Sequence, residues 1–282
     1  MKTTMNILVS LDQNYVPQMR VMLTSLYFNN PEIRCDIYLL HRSIPEAVLD
    51  ALQRDLESLE YSLHPICVDG TQFAGAPVTN RYPQEMYYRL LAAQLLPDHL
   101  ERILYLDPDI LIINSLKPLW NMELGSCLFA AAAHTGKTEL ANNINKIRLG
   151  TEQNYYNSGV LLMDLAGCRK EIVPEDIFSY VEAHSQELVL PDQDILNAMY
   201  GDRVQEIDDA VWNYDARNYS SYLMRSYGQA DLQWVMQHTA ILHFCGKAKP
   251  WKPNYRHRFG VLYLHYMKLT DRFFSEAAVS LP

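Results

Sequence analysis

An α/β fold, with a mostly parallel central sheet and helices on both faces, is what this sequence predicts. Two observations carry the prediction. Apolar runs of strand length alternate with stretches of helical period through residues 6–106, and the links between them are short, as in sheets built from successive β and α units. A composition that is 49% hydrophobic and 20% charged over 282 residues supplies a substantial core. Without a low-complexity linker, an internal repeat or a composition break, one α/β domain with a decorated second half is expected.

Residues 6–11 read as a buried strand. Residues 16–29 follow as a helix, with Met19, Met22, Leu23 and Leu26 on one face, Pro17 in the first turn, and Asn29, Asn30 and Pro31 as the stop. The second strand is 35–40. A helix over 45–59 puts Val48, Leu52, Leu56 and Leu59 nearly on one stripe, which Asp55 interrupts. A third strand (62–68), a third helix (85–96) and a fourth strand (102–106) complete the regular half. Beyond residue 110, strands at 127–133 and 159–164 flank a polar segment. Helices at 174–185 and 192–200 and short strands at 204–207 and 241–245 follow. Phe259, Leu262, Tyr263, Tyr266, Leu269 and Phe273 recur every three or four residues, which makes the end of the chain an amphipathic helix.

Charge and cysteine usage narrow the function classes. Lys and Arg number 24 against 33 Asp and Glu, a formal charge of −9, so the chain has no general attraction for nucleic acid. The five cysteines are odd in number, widely spaced and without a C-x-x-C pair, which fits reduced thiols in the cytoplasm better than a disulfide framework. The opening residues are too short an apolar stretch for a secretory signal, and the longest clean apolar run, 127–133, falls far short of a span of about 20 residues. A soluble, cytoplasmic protein is expected.

Ligands in such sheets bind at the carboxyl ends of strands. Asp12, Asp69 and Asp107 all stand there. The sharpest feature is the run from Ile103 to Ile113, in which Asp107 and Asp109 flank Pro108 among apolar residues. On extended backbone, residues i and i+2 point the same way, so both acids can aim at one place. Buried carboxylates are costly unless paired or bound to a metal. They could bridge a divalent cation to a phosphorylated substrate, serve a phosphohydrolase with Asp107 as nucleophile, or cap backbone amides at a turn. The hydrolase reading is the weaker, because its motif belongs on a first strand, and only Asp208 and Asp209 could imitate its second acidic cluster. Near the other end, His243 is followed by Gly246, Lys249, Pro250 and Trp251. Glycine permits close backbone approach and lysine offers a point charge to phosphate. A divalent ion facing two carboxylates and a diphosphate leaves negative charge that Lys249 and an arginine would offset. A mixed oxygen and nitrogen donor set suits Mn²⁺ better than Mg²⁺, although Mg²⁺ is also admissible.

With these residues in order, the sequence resembles a retaining glycosyltransferase of family 8, the group of bacterial lipo-oligosaccharide hexosyltransferases and glycogenin. The resemblance spans residues 6–251. It rests on Val9-Ser10-Leu11-Asp12-Gln13-Asn14-Tyr15, Tyr87-Tyr88-Arg89-Leu90, Leu104-Tyr105-Leu106-Asp107-Pro108-Asp109, Tyr156-Asn157-Ser158-Gly159-Val160, Asp192-Gln193-Asp194-Ile195-Leu196-Asn197, and His243 through Trp251. It implies a GT-A type, Rossmann-like nucleotide-sugar-binding fold over residues 1–250, with 251–282 as a helical tail. It also implies a UDP-galactose or UDP-glucose donor and Mn²⁺ held by Asp107, Asp109 and His243. By the same resemblance, Ser10, Asp12 and Asn14 hold uracil and ribose, and Arg89 contacts the donor sugar or phosphate. Asn157 bonds the hexose, Asp192 takes sugar hydroxyls, Gln193 stands near the anomeric carbon, and Gly246 and Lys249 serve the diphosphate.

Read without the family, Asp12 to Asn14 is equally an Asx turn before a helix. Asp192 or Asp194 is equally a helix cap, Arg89 a surface residue and Asn157 a turn residue. One departure from the family pattern concerns the acceptor: the run Ala130 to His134 lacks the acid that bacterial members often carry there. A saccharide or glycolipid acceptor is implied. From Lys249 to Pro282 the chain has six basic and two acidic residues. The tail is therefore either a closing helix or a basic, aromatic surface for the inner face of an anionic membrane. The remaining alternative is a catalytically silent nucleotide-sugar-binding protein.

Overall fold

In the computed structural model, which describes residues 2–68, 70–73, 76–77, 84–133 and 139–280, the chain opens as β1 (Thr3–Ser10), α1 (Val16–Asn29), β2 (Ile33–His41), α2 (Glu46–Ser58) and β3 (Ser62–Cys67). The three strands are parallel neighbours, with Ile7 beside Ile37 and Ile37 beside Leu63. Met19, Met22, Leu23 and Leu26 are buried on α1, as their spacing predicts. Asp55, the intruder on the stripe of α2, is paired with Arg20 of α1.

The expected helix over 85–96 is broken. A 3-10 turn covers Gln84–Tyr87 and only α3 (Ala92–Leu95) is α-helical. Tyr87, Tyr88, Leu90, Leu91, Ala92 and Ala93 are all buried in the two pieces. Arg89 therefore sits in the turn between the two pieces.

The chain continues through β4 (Arg102–Leu106), β5 (Ile110–Ile112), α4 (Lys117–Trp120), β6 (Phe129–Ala132), α5 (Glu139–Leu149), β7 (Val160–Asp164), α6 (Leu165–Glu171) and α7 (Pro174–His184). It ends with α8 (Pro191–Tyr200), β8 (Val204–Ile207), α9 (Asp209–Trp212), β9 (Tyr214–Asp215), α10 (Tyr219–Arg225), α11 (Leu232–His238), β10 (Ile241–His243) and α12 (Gly260–Ser280). Among the described residues, seven strands form one sheet in the order β3-β2-β1-β4-β7-β6-β8, and three form another in the order β5-β10-β9. In the larger sheet only β7 runs against its neighbours. After β1 the chain moves outward through β2 and β3, then returns to place β4 on the other side of β1. The crevice between the ends of β1 and β4 is thus the topological switch point at which open α/β sheets bind ligands.

The run from Ile103 to Ile113 is not one extended strand. β4 ends at Leu106, residues 107–109 turn, and β5 enters the smaller sheet. The two acids thus converge through a turn at the corner between the sheets, not through the alternation of a single strand. Apolar clusters cover both faces of the large sheet, and a third joins Leu111, Leu242, Phe244 and Tyr214 to Phe259 and Tyr263 at the start of α12. Farther along, the Tyr266 hydroxyl accepts from Asn29 at 2.7 Å, and Phe273 packs on Tyr27. Asp69 and His134 lie outside the described residues.

Candidate active site

His243 closes β10, paired with Ile110 of β5, so the small sheet carries its imidazole to the corner occupied by Asp107 and Asp109. One donor atom from each of the three lies within 4.8 Å of the others. His243 Nε2 is 3.3 Å from Asp109 Oδ1 and 3.7 Å from Asp107 Oδ2. The start of β7 passes tightly against them: the Asp107 backbone N–H donates to the Gly159 carbonyl at 2.8 Å. A Cβ on Gly159 would lie 2.5 Å from both Asp107 Oδ2 and His243 Cε1. Only glycine lets the strand come this close. Two carboxylates, one imidazole and a backbone trimmed to fit them suit a divalent cation with mixed oxygen and nitrogen ligation.

Electrostatics at the corner are strong. Burial by itself would raise the Asp109 carboxyl, but His243 and Lys249 outweigh it and hold the group well below the usual carboxylate range. Burial by itself would keep His243 neutral, yet Cys245 and Asp109 beside it favour the protonated imidazole. Lys249 donates to Asp109 and, at 3.0 Å, to the Phe244 carbonyl. Gly246 adopts φ of 82°, where a side chain would be strained and would also strike Arg217.

Arg89 is not a surface residue. Its guanidinium lies 3.2 Å from Asp107 Oδ1 and 3.2 Å from Asp192 Oδ2, donates to Ser158 O and Oγ, and covers the Tyr105 ring at 4.5 Å. The Tyr105 hydroxyl donates to Asp107 Oδ1 at 2.7 Å. A cavity of about 460 Å³ is lined by Ser10, Asp12, Tyr15, Arg89, Asp107, Asp109 and Asp192, among others. Asp12 takes part in both ways the sequence allowed. It accepts from the Asn14 backbone at 2.8 Å as an Asx turn, and it lines the cavity. Asn14 spends its side-chain amide on Asp12 at 3.2 Å and is not among the lining residues.

Asp192 does not cap α8, whose N-cap residue, Leu190, makes no side-chain capping bond. Asp192 instead holds Arg89 and Ser158. Asp194 is fully buried, takes two bonds from Arg148 of α5 at 2.9 and 2.7 Å, and accepts from Tyr155 and the Val189 and Leu190 backbone. The Gln193 carbonyl accepts from Asn157 Nδ2 at 3.1 Å and Ser158 N at 3.4 Å, so Asn157 and Gln193 meet. Tyr105, Ser158 and Gly159 escape sequence reasoning as site residues. Each looks like ordinary strand or turn, and only their places inside the motifs around Asp107 and Asn157 hinted at them.

Asp208 and Asp209 do not support the hydrolase reading. Asp208 caps α9, and Asp209 is held by Tyr222 at 2.9 Å and Arg225 at 2.7 Å. Both line a separate cavity of about 670 Å³ that does not include Asp107.

A mixed sheet with its switch point beside an acidic, metal-competent corner is a ligand site of the open α/β type, and comparison with known proteins makes it that of a GT-A type glycosyltransferase. The sequence profile of glycosyl transferase family 8 matches residues 6–254. The chain belongs to that family. General stress protein A of Bacillus subtilis (strain 168) is 28% identical over 274 residues, covering 94% of each chain. A lipopolysaccharide 1,2-glucosyltransferase of Escherichia coli (strain K12) is 26% identical over 88% of this chain and 72% of its own. Among solved structures, the galactosyltransferase LgtC, in complex with donor and acceptor sugar analogues, superposes with a TM-score of 0.77 at 24% identity. It covers 94% of this chain and 96% of its own.

Proposed function

We propose that this enzyme transfers a hexose, galactose or glucose, from its UDP ester to a saccharide or lipid-linked acceptor, with retention of configuration and with Mn²⁺ as the preferred ion. The observation that carries the reading is the convergence of Asp107, Asp109 and His243 beside the cavity at the switch point. When bound, the ion would neutralise the diphosphate leaving group. Ser10 and Asp12 would bond uracil and ribose. Asn14 would join them only by releasing Asp12. Arg89, fixed between Asp107 and Asp192, would present guanidinium edges to the donor. Lys249 would exchange Asp109 for phosphate, and Gly246 would let the backbone approach it.

The arrangement favours same-face substitution over a glycosyl-enzyme. A double displacement needs a free carboxylate at the anomeric carbon, whereas Asp192 is engaged by Arg89 and Ser158 and Asp194 by Arg148 and Tyr155. Gln193 would stabilise positive charge on the sugar through its carbonyl dipole, Asp192 and Asn157 would orient hydroxyls, and the departing diphosphate would take the acceptor proton. Residues 1–250 are proposed as the catalytic domain and 251–282 as its helical tail. The protein would work in the cytoplasm, with the tail touching the inner membrane face.

The test is a thermal-shift screen of UDP-galactose and UDP-glucose with and without Mn²⁺, followed by hydrolysis of the better donor. Saturation at about 100 times Kd adds roughly 2.7 kcal/mol of stability, so a clear rise in Tm that needs the ion is expected, with slow UDP release. No shift with either donor, together with phosphate release from simple phosphoesters, would replace this reading with the hydrolase.

A further inference from the structure

A line of side-chain hydrogen bonds runs from the metal corner to Gln193. His243 Nδ1 lies 2.9 Å from Asn213 Oδ1, Asn213 Nδ2 donates to Asn157 Oδ1 at 2.9 Å, and Asn157 Nδ2 donates to Gln193 Oε1 at 3.1 Å. Asn213 is 0% exposed and His243 3%, so water does not compete for the bond between them, while Asn157 is half-buried.

Two backbone amides set the direction of the whole line. Gly159 N–H donates to Asn157 Oδ1 at 3.0 Å, and Ser158 N–H donates to Gln193 Oε1 at 3.4 Å. A backbone N–H can only donate, so the atoms it meets are the amide oxygens. Asn213 must then turn its NH₂ to Asn157 and its own oxygen to His243. An oxygen at that place demands a proton on Nδ1. With one proton fixed on Nδ1, the ring can offer a lone pair only from Nε2, the nitrogen that faces Asp107 and Asp109, where a cation would displace the proton those carboxylates favour.

We infer that Asn213 is a positioning residue. It holds His243 in the metal-ligating tautomer and, donating to Asn157 Oδ1 alongside the Gly159 amide, anchors the asparagine that meets Gln193, so the ion site and the sugar site share one orientation. The inference rests on the transferase reading above. Nothing in the sequence near Asn213 announces it. The residue ends α9 just before β9, and the register of β9 with β10 brings its amide beside His243.

Two variants separate its two bonds. Asn213→Leu, similar in size, removes both. Asn213→Asp keeps an oxygen for His243 Nδ1 and loses the donor to Asn157. Mn²⁺ binding in the presence of UDP is read by electron paramagnetic resonance, and kcat and donor KM by steady-state transfer or donor hydrolysis. Asn213→Leu is expected to bind Mn²⁺ about 10- to 100-fold more weakly. Asn213→Asp is expected to retain Mn²⁺ affinity while kcat falls with donor KM unchanged. The inference is overturned if folded Asn213→Leu binds Mn²⁺ like the parent, if Asn213→Asp keeps the parent kcat, or if both variants lose Mn²⁺ equally, the mark of packing alone. Should Asn213→Leu fail to fold, the kcat and Mn²⁺ affinity of Asn213→Asp decide. A parent that binds no Mn²⁺ with UDP takes down the transferase reading itself, which is a different result from a binding parent with indifferent variants.

Discussion

Gly159 shows how a residue without a functional group can govern a site. Its Cα lies where a single added methyl would meet the Asp107 carboxylate and the His243 ring at once, each 2.5 Å away. Neither partner is free to retreat, because Asp107 is bonded by Tyr105 and approached by Arg89, and His243 is bonded by Asn213. Gly159→Ala is therefore expected to lower Mn²⁺ affinity and turnover at least about tenfold, as misplacing metal ligands does, while leaving charge and every donor atom in place. Parent-like Mn²⁺ titration in that variant would show that the corner has slack and is not an ion site of fixed geometry. The charged members of this site were legible in the sequence because a buried charge is an anomaly that needs a reason. Asp107, Asp109, His243 and Lys249 stand out in apolar or glycine-rich surroundings. Gly159, Tyr105 and Asn213 do not, since nothing in a glycine, a strand tyrosine or a helix-end asparagine departs from ordinary usage.

Elements whose ends are marked, or whose apolar residues keep one stripe, were readable. α2 announces itself by period, and α1, buried continuously from Val21 to Leu26, by Pro17 at its start and the Asn29-Asn30-Pro31 stop. The 85–96 segment carries apolar residues in succession, so its period is ambiguous, and the break that turns Arg89 inward came only with the tertiary packing. α5 and α8 show a different kind of dependence. They are latched by Arg148 on Asp194, a pair whose carboxylate is fully buried. Burial opposes the charge on Asp194, but Arg148, Tyr155 and the Val189 and Leu190 amides outweigh it and depress its pKa. A depressed carboxyl stabilises the fold above its unfolded value of about 3.9 and loses that contribution as pH falls through the folded value. Asp194→Asn should therefore cost on the order of 2 kcal/mol near neutrality, since it weakens charge-assisted bonds from the half-buried Arg148. The gap between variant and parent should close as the pH drops below about 4. Urea unfolding at several pH values measures this, and a gap that does not change with pH would mean that the latch is held by shape and not by charge.

At the scale of the whole molecule, the sequence already pointed to the fold class and the acidic balance, and the structure adds where the opposite charge is put. The chain carries −9 overall, yet residues 249–282 hold six basic and two acidic groups. α12 answers part of that puzzle blandly: Phe259 and Tyr263 are buried, and the helix packs on α1 and α2. Other described parts of the tail face solvent. Lys252, Arg256, Arg258 and Lys268 are exposed, with Val261 and Leu264 exposed among them. No described helix is long and apolar enough to cross a membrane. A surface of this kind suits an anionic bilayer, where each lysine or arginine near the headgroups is worth about 1 kcal/mol and the attraction fades within a Debye length of roughly 8 Å at physiological salt. Deleting the tail would not test this, because it would remove buried Phe259 and Tyr263. Charge reversal at exposed positions does: Lys252→Glu with Arg256→Glu leaves the packed face untouched. The parent should sediment with phosphatidylserine-rich vesicles at low salt and be released at high salt, and the double variant should stay in solution at both. Equal sedimentation of the two proteins, or binding by the parent that salt does not weaken, would leave the basic tail as a solvated closing helix and return the acceptor to the aqueous phase.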